Sequence, residues 1–429
     1  MSEMEFQEHK PVLIEKGPGF AAGLRNLWGY LNIKTATAGV VAGIFGCTGP
    51  VLIIMNSAAA GSLTEAQTVS WLFAVYFFGG LISLLLALYY QLPVNGAWSM
   101  PGAVLMASAL TFYNINQAVG AYFMAGVIVL LLGISGLIGK VMKWLPLPIV
   151  MAMIAGAMIR FGTGIVNSLQ GAPLIAGSAF AGYLISSRLT KRISPVLGAL
   201  IVGIGAAGLL GGFSPAVVEV KWIAPRVFMP EFSFSAVLAI SLPLAILVVG
   251  AENAQAIGVL MSQGYKPPVN AMTVISGLGG IATSFLGGHN ANIAGPMTAI
   301  CCSEEAGETK SGRYAATVLN GVLFMVFALS IGVAVPFIKA LPKELVSLLA
   351  GLAMIGVLTS ALEMAFSEKR FRVGSFFALV IAMSGIVLFK ISAPLWALLG
   401  GVVISHIVEP QDFSSKLTAS QKVVAEAGE

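Results

Sequence analysis

The chain has 429 residues, of which 10% are charged and 57% are hydrophobic, and its mean hydropathy is +0.92. Soluble domains usually carry about a quarter charged residues, so this composition excludes a soluble globular protein. Long uncharged apolar runs favour an all-α integral membrane protein over a β-barrel, whose strands alternate in shorter segments.

Residues 1–34 are predicted to form a cytoplasmic N-terminus. The opening stretch MSEMEFQEHKPVLIEKG is polar and acidic and lacks the apolar core of a signal peptide. The first apolar run must therefore target the protein to the membrane and stay there. Within GFAAGLRNLWGYLN, the residues Phe20, Leu24, Trp28 and Leu31 fall near one helical face, which predicts a short helix lying on the membrane surface.

Glycine, proline and charge clusters divide the rest of the chain into about 14 apolar segments of helical length. The predicted segments are 35–57, 67–90, 97–113, 117–138, 146–165, 171–187, 194–212, 236–259, 268–287, 290–303, 313–335, 343–366, 371–390 and 392–408. With both termini in the cytoplasm, about three quarters of the 23 Lys and Arg residues lie on the cytoplasmic side. Membrane topology thus explains the net charge of +5, which requires no nucleic-acid partner.

The longest loop, residues 213–235, lies at the midpoint of the chain and is predicted to be an extracytoplasmic linker. It separates a first half, 35–212, from a second half, 236–408, and a cytoplasmic tail follows at 409–429. An odd number of segments in each half forces the halves into opposite orientations. The sequence therefore predicts a 7+7 inverted repeat, as in many transporters.

The third segment of each half is short and interrupted. The stretch AWSMPGAVLM from Ala97 aligns without gaps with ANIAGPMTAI from Ala291, and each follows non-helical residues, QLPVNG or FLGGHN. A helix that begins inside the membrane has unpaired N–H groups and about half a positive charge at its start. Two such starts facing each other form a site for an anion such as a carboxylate. The alternative is that proline and glycine only kink these helices for close packing; the matching positions favour the site.

Candidate substrate-binding residues surround the two helix starts. Ser99 and Asn292 occupy expected N-cap positions, and Trp98 offers a flat apolar wall to an aromatic ring. The interruption by Thr48, Gly49 and Pro50 in the first segment is expected to contribute another wall. The full predicted set is Thr48, Trp98, Ser99, Met100, Gly102, Asn253, His289, Asn290, Asn292 and Gly295. The other interpretation of Trp98 is a membrane-interface anchor, the role predicted for Trp71, Trp144 and Trp222.

Glu252 lies deep in the eighth segment and is the leading candidate for proton coupling. An ionised carboxylate in hydrocarbon is costly, so an intramembrane Glu is a functional candidate that can exchange protons near neutral pH. His289 is the second proton-coupling candidate. The alternatives are structural: a bond from Glu252 to a helix N-terminus, and a bond from His289 to a backbone carbonyl. Glu363 is a weaker candidate because it lies close to the charged stretch SEKR.

The three cysteines and three histidines are not spaced as a metal site. The sequence also contains no nucleophile–base pair or phosphate-binding loop. We therefore predict neither a cofactor nor a metal, and we do not expect an enzyme.

Four stretches, AWSMPGAVL, MAMIAGAMIRFG, NAQAIGVLMSQGYKPPV and MTAICCSEEAG, resemble the benzoate–proton symporter family of bacterial inner membranes. The resemblance covers nearly the whole chain in order. It implies the fold of nucleobase permeases and sulfate/bicarbonate transporters, with a core domain of helices 1–4 and 8–11 and a gate domain of helices 5–7 and 12–14. It further implies a substrate site between the third and tenth helices, elevator-type motion and a homodimer. The chain departs from the family pattern at Glu252, where Gln is usual, and at Gln255–Ala256, where Pro–Gly is common.

The leading hypothesis is proton-coupled symport of a small aromatic carboxylate such as benzoate across the bacterial inner (plasma) membrane. The extra acid at Glu252 leaves the identity of the carboxylate open. A nucleobase–proton symporter and a passive anion channel or exchanger on the same fold are the alternatives.

Overall fold

A computed structural model describes residues 14–136, 146–189, 195–213, 222–388 and 391–414. A surface helix, α1 (Phe20–Tyr30), precedes the first half. The first half contains α2 (Ile33–Ala60), α3 (Glu65–Tyr90), β1 (Gly96–Ala97), α4 (Met100–Ala109), α5 (Ile115–Ser135), α6 (Leu147–Gly171), α7 (Pro173–Leu189) and α8 (Pro195–Leu209).

The second half begins with a long helix, α9 (Phe234–Ser262), that contains two π-helical turns. It continues with α10 (Val269–Ser284), β2 (Asn292–Ile293), α11 (Gly295–Cys302), α12 (Tyr314–Lys339), α13 (Lys343–Phe366), α14 (Arg372–Ser384), β3 (Val387–Leu388), β4 (Ile391–Ser392), α15 (Ala393–Val408) and α16 (Pro410–Ser414). Each apolar segment that the sequence predicted overlaps one of these helices.

Among the described residues, seven helices are long and apolar enough to cross a membrane: α2, α3, α5, α6, α9, α12 and α13. By contrast, α4 has 10 residues and α11 has 8. The prediction that the third segment of each half is short is therefore confirmed.

Several helix starts are fixed by local sequence. Thr64 and Gln67 form a capping box at the start of α3, and Asn114 and Gln117 form one at the start of α5. In each box a side-chain oxygen accepts a backbone N–H that the helix itself leaves unpaired. The short polar stretches between apolar segments thus determine where the helices begin.

The prediction that Thr48, Gly49 and Pro50 interrupt the first segment was wrong, because α2 continues through all three residues. Proline has no N–H, so it cannot bond the carbonyl of the residue four positions earlier, here Gly46. The hydroxyl of Tyr76 donates to that carbonyl at 2.6 Å instead. A side chain of α3 thereby satisfies the backbone group that Pro50 leaves unpaired.

The helices pack as two groups. In the first group, α3 packs along α12, α5 packs along α10, and α4 and α11 lie among α2, α9 and α12. In the second group, α6 packs along α13 and α14, while α7 pairs with α8 and α14 pairs with α15. The packing is reciprocal: the second helix of each half contacts the fourth helix of the other half.

Candidate functional site

The two short helices begin beside each other because β1 and β2 form an antiparallel pair. Gly96 lies opposite Ile293 and Ala97 lies opposite Asn292. Two glycines allow the neighbouring helices to approach this strand pair. A Cβ atom on Gly79 of α3 would lie 2.8 Å from the Cα of Ala97, and one on Gly279 of α10 would lie 2.6 Å from the carbonyl oxygen of Ala291.

The start of α4 is capped by Ser99, as the sequence predicted. The Ser99 hydroxyl oxygen accepts the backbone N–H of Gly102 at 3.0 Å, and Pro101 occupies a first-turn position where its missing N–H costs nothing. The carboxyl group of Glu252 lies near the Ser99 hydroxyl and the backbone N–H of Met100. Glu252 therefore lies against the positive end of a helix dipole, which is the structural alternative considered for it from the sequence.

The start of α11 differs, because within the described part of the chain no side chain caps it. The predicted N-cap Asn292 was wrong: the N-cap residue is Ala294, since β2 extends the backbone before the helix begins. The Asn292 amide instead donates to the carbonyl of Ile293 at 3.1 Å. Gln255 of α9 packs directly over this helix start, and a Cβ atom on Gly295 would lie 2.5 Å from its Oε1.

A cavity of about 510 Å³ lies between these helix starts and the second group of helices. Its walls come from α2, α4, α9 and α11 on one side and from α6, α7, α8 and α13 on the other. The lining is mostly apolar, with a few polar side chains: Thr48, Tyr183, Glu252, Gln255 and Ser360. An apolar cavity with a few convergent polar groups is the usual form of a small-molecule site.

Trp98 lies one layer away from this cavity. It is 4% exposed and lines a second hollow of about 10 Å³, which shares the Glu252 and Met100 side chains with the large cavity. Trp98 packs edge-on against Tyr76, with 6.0 Å between ring centroids. The indole ring of Trp98 also packs edge-on against His289, with 5.7 Å between ring centroids.

His289 is fully buried behind the helix starts. Its Nδ1 accepts the indole N–H of Trp71 at 2.9 Å, and its Nε2 lies 2.9 Å from the carbonyl oxygen of Ser99. The bond to a backbone carbonyl is the structural alternative that the sequence left open. The predicted interfacial role of Trp71 was wrong, because Trp71 is 0% exposed. Trp222 is 61% exposed, and Trp144 lies outside the described residues.

Two of the remaining predicted site residues make buried hydrogen bonds outside the cavity lining. Asn290 Oδ1 accepts the backbone N–H of Ser99 at 3.1 Å, and Asn253 Oδ1 accepts the Ser276 hydroxyl at 3.1 Å. Of the predicted substrate-binding set, Thr48 and Met100 line the large cavity, and Trp98 and Met100 line the small hollow. Glu363, the weaker acidic candidate, is exposed on α13.

Sequence reasoning missed Asn95. This buried side chain donates to the carbonyl of Met297 at 3.2 Å and to the hydroxyl of Thr317 at 3.1 Å, and it accepts from Asn320 at 2.8 Å. The gapless alignment of the two short segments puts Asn95 at the position of His289, so a signal was present. Tyr183 and Ser360 were also missed, and nothing in their apolar surroundings distinguishes them.

In the described residues, no group of three or more His, Cys, Asp or Glu side chains is arranged to hold a metal ion. Several buried polar side chains instead bond to backbone atoms at the helix starts. The cavity beside them has the size and the mostly apolar lining that suit a small solute.

Comparison with solved structures shows the fold. The transmembrane domain of the cyanobacterial bicarbonate transporter BicA aligns with a TM-score of 0.58 at 15% identity, covering 89% of this chain and 97% of that one. The overall structure of SLC26A9 aligns with a TM-score of 0.62 at 14% identity, covering 90% and 67%. Murine Slc26a9 in the inward-facing state gives a TM-score of 0.58 at 15% identity, covering 94% and 74%.

Sequence comparison shows the family. The benzoate membrane transport protein of Acinetobacter baylyi is 28% identical over 377 residues, covering 88% of this chain and 95% of the relative. The inner membrane protein YdcO of Escherichia coli is 31% identical over 369 residues, covering 86% and 94%. The sequence profile described as benzoate membrane transport protein matches residues 29–407. The chain is therefore a multi-pass membrane transporter rather than an enzyme, and it belongs to the benzoate membrane transport protein family.

Proposed function

We propose that this transporter carries a small aromatic carboxylate, of the benzoate type, together with a proton. The observation that carries the proposal is the position of Glu252, which lines the cavity beside the start of α4. The apolar majority of the lining suits an aromatic ring. The names of the family and of the Acinetobacter baylyi relative support benzoate as the first solute to test.

The coupling follows from electrostatics. Two carboxylates that share one poorly hydrated site cannot both remain charged, so one of them takes up a proton. A carboxylate that enters the cavity meets Glu252 and therefore binds only when a proton binds as well. Proton and anion binding become one event, and the cargo is one carboxylate plus one proton with no net charge.

The 7+7 inverted repeat is supported by the reciprocal packing of α3 with α12 and of α10 with α5. In this proposal, the core domain contains α2–α5 and α9–α12, and the gate domain contains α6–α8 and α13–α15. The domain boundaries are those predicted from the sequence: 35–212 and 236–408 for the repeats, joined by the linker 213–235. The cavity lies between these two domains, where an elevator mechanism needs the substrate.

We further propose that the cavity opens towards the cytoplasm. Its lining on the gate side includes Tyr183, Val196 and Met364, which lie near the helix ends that carry the basic loops assigned to the cytoplasm. Further along α6, beyond its cavity-lining residues, Arg160 donates to the carbonyl of Val104 in α4 at 3.0 Å. This bond connects the proposed gate domain with the proposed core domain. Labelling of a Ser360→Cys variant by an impermeant thiol reagent should occur from the cytoplasmic face only, and labelling from the outer face alone would contradict this orientation.

Bacterial inner-membrane location, cytoplasmic termini and a homodimer complete the proposal. Reporter fusions at both ends test the termini. Cross-linking in native membranes tests the dimer, and a protein that remains monomeric at all cross-linker concentrations would contradict it.

The decisive experiment is uptake of labelled benzoate into proteoliposomes. We expect saturable accumulation driven by an inward proton gradient, abolished by a protonophore and unchanged by a potassium diffusion potential. Non-saturating flux that is indifferent to the proton gradient would indicate a passive anion channel instead. Uptake that responds to voltage would contradict the electroneutral stoichiometry.

A nucleobase–proton symporter is the second candidate, and Gln255 favours it. The Gln255 side chain lines the cavity next to Glu252, and an amide offers both a donor and an acceptor to a neutral heterocycle. Thermal-shift screening of purines and pyrimidines against aromatic acids separates the two candidates. If nucleobases stabilise the protein and aromatic acids do not, the result would contradict the carboxylate proposal and support a nucleobase–proton symporter.

A further inference from the structure

His289 connects three parts of the structure. It lies in the segment before α11 in the second half, it bonds to Trp71 of α3, and it bonds to Ser99 at the start of α4. A Cβ atom on Gly102 would lie 3.1 Å from the His289 Cδ2, so the ring also packs against the first turn of α4. His289 is not among the residues that line the cavity.

The hydrogen-bond partners determine the protonation state of the ring. A tryptophan indole nitrogen can only donate, so His289 Nδ1, at 2.9 Å from it, must present a lone pair. Nε2 then carries the single proton of the neutral imidazole and donates it to the Ser99 carbonyl oxygen at 2.9 Å. A doubly protonated ring would direct two N–H groups at each other across the Trp71 contact.

Residues 289 and 290 together hold both backbone groups of Ser99. The Ser99 N–H donates to Asn290 Oδ1 at 3.1 Å, and the Ser99 carbonyl accepts from His289 and from the backbone N–H of Ala103 at 3.0 Å. The Ser99 hydroxyl faces Glu252. The orientation of the group that contacts Glu252 is therefore set from the other half of the chain.

We infer that His289 is a positioning residue that stays neutral through the transport cycle: Trp71 fixes its Nε2–H tautomer, and His289 fixes Ser99 against Glu252. Glu252 is the ionisable group that shares Ser99 with His289, and the transported proton passes by Glu252 and not through the imidazole. The inference rests on these hydrogen bonds and does not depend on which solute is carried.

Nitrogen NMR of the full-length protein with ¹⁵N-labelled histidine tests the protonation state directly. The chain has three histidines, His9, His289 and His406, and the His289 signals are those lost in His289→Gln. We expect them to show an unprotonated Nδ1 and a protonated Nε2 throughout a titration from about pH 8 to about pH 5. If His289→Gln fails to fold, Trp71→Phe provides the assignment, because it removes the donor to Nδ1 and shifts the same signals. A His289 ring that gains a second proton in this range would overturn the inference.

A transport assay with benzoate separates positioning from proton coupling. In each of the variants Trp71→Phe and His289→Gln, we expect the rate of benzoate exchange and the rate of gradient-driven accumulation to fall by the same factor. We expect the double variant to be no slower than His289→Gln alone. Trp222→Phe is the matched control, since Trp222 is exposed and its indole N–H donates to the backbone carbonyl of Leu329 at 3.3 Å. Intact exchange with lost accumulation, or fully additive losses in the double variant, would overturn the inference. Because the NMR result needs no substrate, failure of benzoate transport itself leaves that test standing.

Discussion

Replacing Glu252 with glutamine removes one ionisable proton site while keeping the size and shape of the side chain. The glutamine Oε1 still places an acceptor beside the N–H of Met100 at the start of α4. Glutamine resembles a permanently protonated glutamate. The substitution should therefore leave binding of the anion possible and remove its dependence on a proton.

The size of the effect follows from the stoichiometry. One pH unit is worth about 1.36 kcal/mol, or about a tenfold ratio at equilibrium. With one proton per carboxylate, an inward gradient of one unit should concentrate the solute about tenfold inside wild-type vesicles. In the Glu252→Gln variant the ratio should stay near one at any gradient. The wild-type dissociation constant for the anion should also rise about tenfold per pH unit wherever binding requires proton uptake, whereas that of the variant should stay flat.

Two measurements on proteoliposomes check this prediction: the steady-state accumulation ratio at several proton gradients, and exchange of labelled for unlabelled solute at equal pH. The variant should retain exchange and lose accumulation. Glu363→Gln is the matched control, because Glu363 is an exposed glutamate on α13, and it should behave as wild type. If Glu252→Gln concentrates the solute as wild type does, Glu252 does not carry the proton and the coupling argument fails.

Three further substitutions test the structure around the site. Tyr76→Phe leaves the Gly46 carbonyl without its donor and should destabilise the protein by about 1–3 kcal/mol. The thermal unfolding temperature in detergent should fall accordingly. An unchanged temperature would show that the Tyr76 hydroxyl does not stabilise α2. Gly277→Ala places a Cβ atom 2.5 Å from the backbone nitrogen of Leu130, and this overpacking should cost about 1–3 kcal/mol in the same assay. Ser99→Ala removes the cap of α4 and should lower the free energy of unfolding by about 1 kcal/mol. It should also slow solute exchange, because the Ser99 hydroxyl lies near Glu252. If the alanine variant exchanges solute as fast as wild type, this hydroxyl group has no role in transport.

The features that sequence predicted are those that depend on nearby residues. Apolar runs indicate helices, and the pattern of proline and glycine after a non-helical stretch marks the short helices α4 and α11. Ser99 caps a helix because a hydroxyl three positions before a backbone N–H can reach it. Glu252 stood out as a candidate because a carboxyl group in a long apolar run is costly to bury, and the structure shows it in the cavity lining.

The features that sequence missed depend on partners far along the chain. Trp71 and His289 are 218 positions apart, and a tryptophan near the start of an apolar segment has the local pattern of an interface anchor. The Pro50 interruption disappears because Tyr76, on another helix, satisfies the carbonyl of Gly46. Asn292 fails as a cap because its backbone pairs with Ala97 before the helix begins. In each case tertiary contacts supplied a bond that local reasoning could not assign.

The two helix starts are not equivalent, and this asymmetry favours coupling over simple binding. The start of α4 is capped by Ser99 and has Glu252 beside it, whereas in the described residues no side chain caps α11. In the proposed mechanism, we expect the anion to bind near the amide groups at the start of α11, beside Gln255 and the Glu252 carboxyl group. If Glu252 were ionised, it would oppose the anion that α11 attracts; once it is protonated, the opposition ends and its contact with α4 weakens. In the proposed mechanism, we therefore expect the same proton to allow substrate binding and to weaken a contact at the start of α4, which would link occupancy of the site to movement of the helix.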